Sequence, residues 1–164
     1  MFAVPGNHDH WDGIEGLTRA FERARVPLLR NEHRVVDTPG GRLAIVGYDD
    51  LWSASAPVDQ CYEGLAPELP RITMAHNPES FFVEGERDLG LMVSGHTHGG
   101  QFIIPGLGPV HVPCNIPRRS GAGYTARGRN QLYVTRGIGT VIVPIRVFCR
   151  SEITLITLRP EAGG

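Results

Sequence analysis

Four histidines stand where an apolar run gives way to glycine or another polar residue. They are His8 in Pro5-Gly6-Asn7-His8-Asp9, His76 in Met74-Ala75-His76-Asn77, and His96 and His98 in Ser94-Gly95-His96-Thr97-His98-Gly99-Gly100. In open α/β sheets ligands gather where strands end, because loops there expose side chains above a rigid sheet. Taken singly, each histidine also reads as a hydrogen-bonded structural residue, and for His76 that is the plainer account. The His-x-His pair carries more. On a loop, two imidazoles two residues apart can reach one metal or two neighbouring metals. Gly95, Gly99 and Gly100 let the backbone turn tightly and leave room for an ion. Asn7 adds a neutral amide oxygen, a harder donor that suits Mn, Fe(II) or Zn. Asp9 follows His8 directly, and a carboxylate on an imidazole N–H fixes the tautomer and raises basicity. Together these residues describe a metal-assisted hydrolytic site with a separate histidine acid or base.

The elements that must position these residues follow from the apolar pattern. Asp12 and Glu15 resemble a capping box ahead of a helix whose stripe is Ile14, Leu17, Phe21 and Ala24, with Pro27 beyond its end. Residues 34–36 and 43–47 around Pro39-Gly40-Gly41 predict a hairpin. An irregular loop with a helical turn is expected over 49–70. A short buried strand at 72–75 runs into His76, Pro78 opens a helix over 79–84, and a strand at 89–93 runs into His96. Beyond Gln101, short strands are expected at 101–104, 110–112, 132–135, 145–149 and 153–158, between Gly and Pro turns. The chain opens Met1-Phe2-Ala3-Val4 as though inside a strand. No repeat or linker divides it, so the reading is one α/β domain that becomes mostly β in its second half.

Gly6-Asn7-His8-Asp9, the lone His76 and Gly95-His96-Thr97-His98 resemble the last three motifs of the calcineurin-like metallophosphoesterases. Ser94–Gln101, with residues 133–139 and Pro144-Ile145-Arg146, is similar to a bacterial subgroup of that family, often membrane-anchored, some members of which act on lipid-linked phosphodiesters or pyrophosphates. The resemblance runs from residue 2 to about 159. It implies an α/β/β/α sandwich and two divalent metal ions (Mn, Fe or Zn). Asn7, His76 and His96 would be ligands of one ion and His98 of the other. His8 would contact the phosphate and protonate the leaving oxygen, with Asp9 orienting it. The implied substrate is a phosphate ester, lipid-linked or nucleotide-containing.

The family pattern also has an Asp-x-His and a Gly-Asp-x-x-Asp ahead of Gly-Asn-His-Asp, whereas five residues precede Gly6 here and none is Asp or His. Residues 1–164 are therefore expected to be a single phosphoesterase domain in its C-terminal portion, N-terminally truncated. The expected function is metal-dependent phosphoesterase chemistry weakened by missing ligands. The alternative is a catalytically silent remnant acting as a metal-binding or partner-binding module. Asp49 and Asp50 are the carboxylates nearest to helping, but Asp favours turns for its own hydrogen-bonding reasons, and a solvated loop pair is the expectation.

Composition sets the outer bounds. The 164 residues include 21 Gly and 13 Pro, about a fifth of the chain against the usual ~12%, which suits a loop-rich globular domain. A formal net charge of −1 and the absence of a basic, aromatic-interleaved stretch argue against specific nucleic-acid binding. Arg118-Arg119 and Arg127 with Arg129 are read as solvated surface, with a phosphate contact as the alternative. Cys61, Cys114 and Cys149 show no metal or disulfide spacing and read as reduced thiols. No apolar run reaches the ~20 residues of a membrane helix. Location stays open: cytoplasmic on these residues, membrane-associated where an anchor lies upstream.

Overall fold

The computed structural model describes residues 1–53 and 57–159. Strand β1 (Glu32–Thr38) and strand β2 (Gly41–Gly47) form the expected hairpin, antiparallel from Glu32↔Gly47 to Thr38↔Gly41. The run Leu43-Ala44-Ile45-Val46 gives β2 the branched, apolar character that a central strand requires. Strands β3 (Arg71–Met74) and β4 (Leu91–Ser94) follow in parallel, and a hairpin of β7 (Gly123–Arg127) and β8 (Asn130–Val134) completes one sheet in the order β1-β2-β3-β4-β8-β7. A separate two-stranded sheet pairs β5 (Ile103–Ile104) with β6 (Gly108–Pro109). The architecture is mixed α/β with few helices.

Parallel pairing of β2, β3, β4 and β8 fixes where the chemistry falls. Gly47 is in register with Met74, Met74 with Val93, and Val93 with Tyr133. The residues that follow, Asp49-Asp50, His76, His96 and Arg136, all emerge at one edge of the sheet, the edge where ligands bind in α/β proteins. One face of the sheet packs the core: Ala44 and Val46 of β2, with Tyr48 just past its end, alternate and meet Phe81, Leu89, Met92, Leu132 and Val134. The Tyr48 and Tyr62 hydroxyls bond to each other at 2.7 Å. On the other face, a Cβ on Gly47 would lie 2.1 Å from the Leu29 Cβ, so only glycine lets that buried leucine approach.

Helix α1 (Asn7–Asp12) is followed by α2 (Ile14–Ala24), and Gly13 (φ 103°) joins them. Asp12 therefore ends α1 and does not cap the second helix. The expected stripe is shallow: Ile14, Leu17 and Phe21 are half-buried and Ala24 is exposed. Helix α3 (Ser80–Val83) lies inside the expected 79–84. A 3-10 turn at Val58–Tyr62 is the helical turn expected within the loop over 49–70, of which 54–56 lie outside the described residues.

Four expectations differ. Ala3 makes only an isolated parallel bridge to Leu28, so the opening residues are not a strand. The strand expected at 110–112 is replaced by β6, two residues earlier. Val147 bridges Phe102 alone, and 153–158 forms no strand, with Ile153 89% exposed. β7 was not anticipated, since Gly123-Tyr124-Thr125-Ala126-Arg127 has little apolar alternation. Its turn, Gly128 at φ 59° before Arg129, is the local signal. Among the described residues no helix is long and apolar enough to cross a membrane.

Candidate metal centre

Three of the six residues singled out for chemistry converge. His76 Nε2 lies 3.1 Å from Asn7 Oδ1 and 3.1 Å from His96 Nδ1. Asn7 comes from the first turn of α1, His76 from the end of β3 and His96 from the end of β4, so three elements distant in sequence supply one cluster. Gly6 permits it: a Cβ there would stand 2.8 Å from the His76 ring. Asp9 serves the same turn, its Oδ2 accepting the Gly6 N–H at 2.8 Å. The expected role of Asp9 in orienting His8 is thus not its contact in this structure; it ties the start of α1 instead.

The loop after β4 is held in an unusual shape. His96 (φ 65°), His98 (φ 51°) and Gln101 (φ 54°) all occupy the left-handed region, costly for residues with a Cβ. Buried Thr97 locks the loop by donating to the Gly121 carbonyl at 2.7 Å and accepting the Gly99 N–H at 3.2 Å. His96 Nε2 donates to the Pro113 carbonyl at 3.1 Å. That bond assigns the tautomer, leaving Nδ1 with its lone pair toward His76. Burial, and then the neighbouring His96, push the His76 imidazole down to about 4, with Asp50 and Asp9 opposing. Burial lowers His96 too, with the Pro113 bond and Asp50 acting in the other direction. Both rings therefore rest neutral near pH 7, as ligands must.

Asn7, His76 and His96 are the residues that could hold a divalent cation. Two ligands at right angles on an ion with ~2.1 Å bonds are about 3 Å apart, close to the spacing seen here. Among the described residues there is no group of three or more His, Cys, Asp or Glu that could hold a metal. The cluster is two imidazoles and an amide, and no carboxylate joins it.

His8 and His98 line the same cavity, of about 410 Å³, without joining the cluster. His8 is exposed, edge-on to Trp11 with ring centroids 4.6 Å apart. His98 Nδ1 donates to the Gly139 carbonyl at 3.2 Å. Trp11, Trp52, Phe102, His111 and residues 141–143 form much of the cavity wall. Gln101 holds part of that wall, its amide bonding Val141 N–H at 2.8 Å and the Val141 and Val143 carbonyls at 3.1 and 3.0 Å. Arg146 fastens the other side through the carbonyls of His98 (3.0 Å) and Arg136 (2.7 Å). Arg127 and Arg129 line a different cavity, beside Asp88 and Asn130. Arg127 spends its donors on the Phe82 and Gly85 carbonyls, while Arg118 and Arg119 are exposed. The three cysteines are free, and burial pushes the Cys61 and Cys114 thiols up to about 12.

Asp49 and Asp50 overturn the expectation of a solvated pair: they are 9% and 1% exposed. Asp49 pairs with His10 and Arg30, at 2.6 and 2.9 Å. Sequence reasoning passed over His10, Trp11, Trp52, Gln101 and Arg146 as site residues. For Asp49 and Asp50 a signal existed, since they follow an apolar strand as His76 and His96 do.

No family model matches the chain, and no solved structure matches it. Phosphodiesterase YaeI of Escherichia coli (strain K12) is 37% identical over 162 residues, covering 96% of this chain and 57% of the relative. Uncharacterized metallophosphoesterase YkuE of Bacillus subtilis is 29% identical over 158 residues, 95% of this chain and 55% of the relative. Transmembrane protein with metallophosphoesterase domain of Danio rerio is 30% identical over 172 residues, 96% of this chain and 38% of the relative. The chain spans about half the length, or less, of these curated relatives. Over nearly all of its own length, then, it is homologous to proteins named phosphodiesterase or metallophosphoesterase.

Proposed function

We propose that this chain is the C-terminal portion of a calcineurin-like metallophosphoesterase domain, hydrolysing phosphoric esters with two divalent cations. The convergence of Asn7 Oδ1, His76 Nε2 and His96 Nδ1 at 3.1 Å spacings carries the reading. These three residues would hold one ion and His98 a second, with Mn, Fe or Zn suiting the donors. When bound, such ions lower the pKa of an attacking water and neutralise charge on the phosphoryl oxygens.

The chain's own residues do the rest. His8, exposed on α1 and lining the cavity, presents a ring nitrogen that can carry a proton to the departing oxygen. Trp11, Trp52 and Phe102 line the same cavity and offer apolar surface to the organic part of an ester. The names of the relatives support a phosphate-ester substrate, with a phosphodiester the first choice. A lipid-linked or nucleotide-containing ester is the narrower version of the same reading.

A second reading follows from the missing carboxylate. Two imidazoles and an amide bring no negative charge to an ion, and His98 stands apart as a lone ligand. On its own the chain would then hold one ion better than two, and turn over slowly or serve as a silent metal-binding module. We read the Asp-x-His and Gly-Asp-x-x-Asp carboxylates as coming from outside these 164 residues.

The test is hydrolysis of bis(p-nitrophenyl) phosphate with added Mn²⁺, beside Zn²⁺ binding by chelator competition. Turnover lost in His8→Ala supports an active site within this chain. Absent turnover with Zn²⁺ binding that disappears in His96→Ala supports the one-ion, silent version. A wild-type chain that binds no metal overturns both.

A further inference from the structure

Asp50 is the most deeply buried carboxylate at the site edge of the sheet, 1% exposed, three residues past the end of β2. Its Oδ2 accepts the Trp52 N–H at 3.1 Å, a short turn that sets the Trp52 ring edge-on against His96 with centroids 4.8 Å apart. Its Oδ1 is buried and has no hydrogen-bond partner among the described residues. A buried carboxylate oxygen without a donor is costly, and proteins keep one where something repays the cost.

The adjacent carboxylate shows the contrast. Asp49 is matched on both oxygens by His10 and Arg30. Among the described residues Asp50 has no such cation, yet it is close enough to favour the charged forms of both His76 and His96. It does not complete a ligand set, since among the described residues no three His, Cys, Asp or Glu side chains can share a metal.

We infer that Asp50 is the charge partner of a cation held by Asn7, His76 and His96, acting from behind the ligands without touching the ion. This rests on the metal-site reading above and adds the anionic group which that donor set lacks. In the metal-free protein Asp50 Oδ1 is buried without a donor; with a divalent ion in the cluster, a carboxylate at that place becomes half of an attractive pair in a low-dielectric setting. The cost to the empty protein and the gain on binding have one source, so they must change together.

Asp50→Asn separates charge from shape. The amide oxygen can still accept the Trp52 N–H, and the amide nitrogen replaces an oxygen that already lacks a partner. Zn²⁺ affinity, measured by chelator competition on the full chain, is expected to fall 10–100-fold. The melting temperature without metal is expected to stay level or rise. Asp50→Ala should lose as much affinity but melt lower, because it also loses the turn.

Wild-type affinity in Asp50→Asn, with binding abolished in His96→Ala, overturns the role of Asp50 while leaving the metal site standing. A metal-free Asp50→Asn that melts well below wild type also overturns it, marking Asp50 as structural. No Zn²⁺ binding by the wild-type chain overturns this inference together with the reading beneath it.

Discussion

His10 Nε2 lies 2.6 Å from Asp49 Oδ1, joining the second turn of α1 to the end of β2. Arg30 closes on the other oxygen at 2.9 Å, and the Asp49 N–H is itself held by Asn31 Oδ1 at 2.9 Å. Asn7 and His8 sit on the same short helix, so this pair fixes the distance between the helix and the sheet edge that carries His76. Asp49→Ala should destabilise the chain by about 2–3 kcal/mol, below the full value for a buried pair because Arg30 is partly exposed. It should also weaken Zn²⁺ binding, although Asp49 touches none of the ligands. Thermal melting and chelator competition on the same variant check both.

Gly6 and Gly16 offer a paired test of what glycine does in each place. At Gly6 a Cβ would collide with the His76 ring at 2.8 Å; at Gly16, inside α2, nothing lies within 4 Å. Gly6→Ala is therefore expected to cost about 1–3 kcal/mol and to displace the imidazole, abolishing metal binding. Gly16→Ala should stabilise by about 0.5–1 kcal/mol and leave binding unchanged. Denaturant midpoints read the first effect and chelator competition the second.

The residues that meet across the sheet edge were legible because strand ends are legible. Runs such as Ile72–Ala75 and Leu89–Val93 announce buried strands, and the parallel pairing that aligns their ends brings His76 beside His96. Asp50 escaped the same rule because Asp so often belongs to turns, a preference that here coexists with burial. Gln101 and Arg146 escaped because Gln101 bonds the Val141 and Val143 carbonyls 40 and 42 residues on, and Arg146 bonds the His98 carbonyl 48 residues back; no local pattern encodes such partners. The strand expected at 153–158 shows the reverse error. The run Ile153-Thr154-Leu155-Ile156-Thr157-Leu158 is rich in branched residues that suit a strand, yet pairing is a property of a neighbour, and none lies beside it among the described residues.

Acid should destabilise this chain through His76. Burial, and secondarily His96, hold His76 near 4, whereas an unfolded histidine titrates near 6.5. Between those values the unfolded chain binds more protons than the folded one. Stability from His76 is thus complete above pH 6.5, falls as the pH drops toward 4, and then levels off. The loss amounts to about 3 kcal/mol at most. Melting temperatures from pH 7.5 to 4 should show this slope, flatter in His76→Asn. A wild-type profile without it would mean that His76 takes up its proton without cost.

Arg146 divides the site into two mechanical halves. Its guanidinium donates to the carbonyls of His98 (3.0 Å), Arg136 (2.7 Å) and Gly137 (3.3 Å), and through Nε to Gly139 (3.1 Å). It thereby clamps the loop that carries His98 to the loop that receives the His98 ring. No bond of Arg146 reaches Asn7, His76 or the His96 side chain, which Thr97 and the Pro113 carbonyl hold by other means. Arg146→Ala should cost about 2 kcal/mol, since several carbonyls lose a charged donor at a partly exposed position. Arg146→Lys should restore little, because one ammonium cannot span carbonyls that a planar fork reaches together. Zn²⁺ affinity at the three-donor cluster should then stay within about threefold of wild type, a small shift beside the tenfold marked by 1.4 kcal/mol. A much larger loss in Arg146→Ala would show that His98 and the Asn7, His76 and His96 cluster bind as one unit.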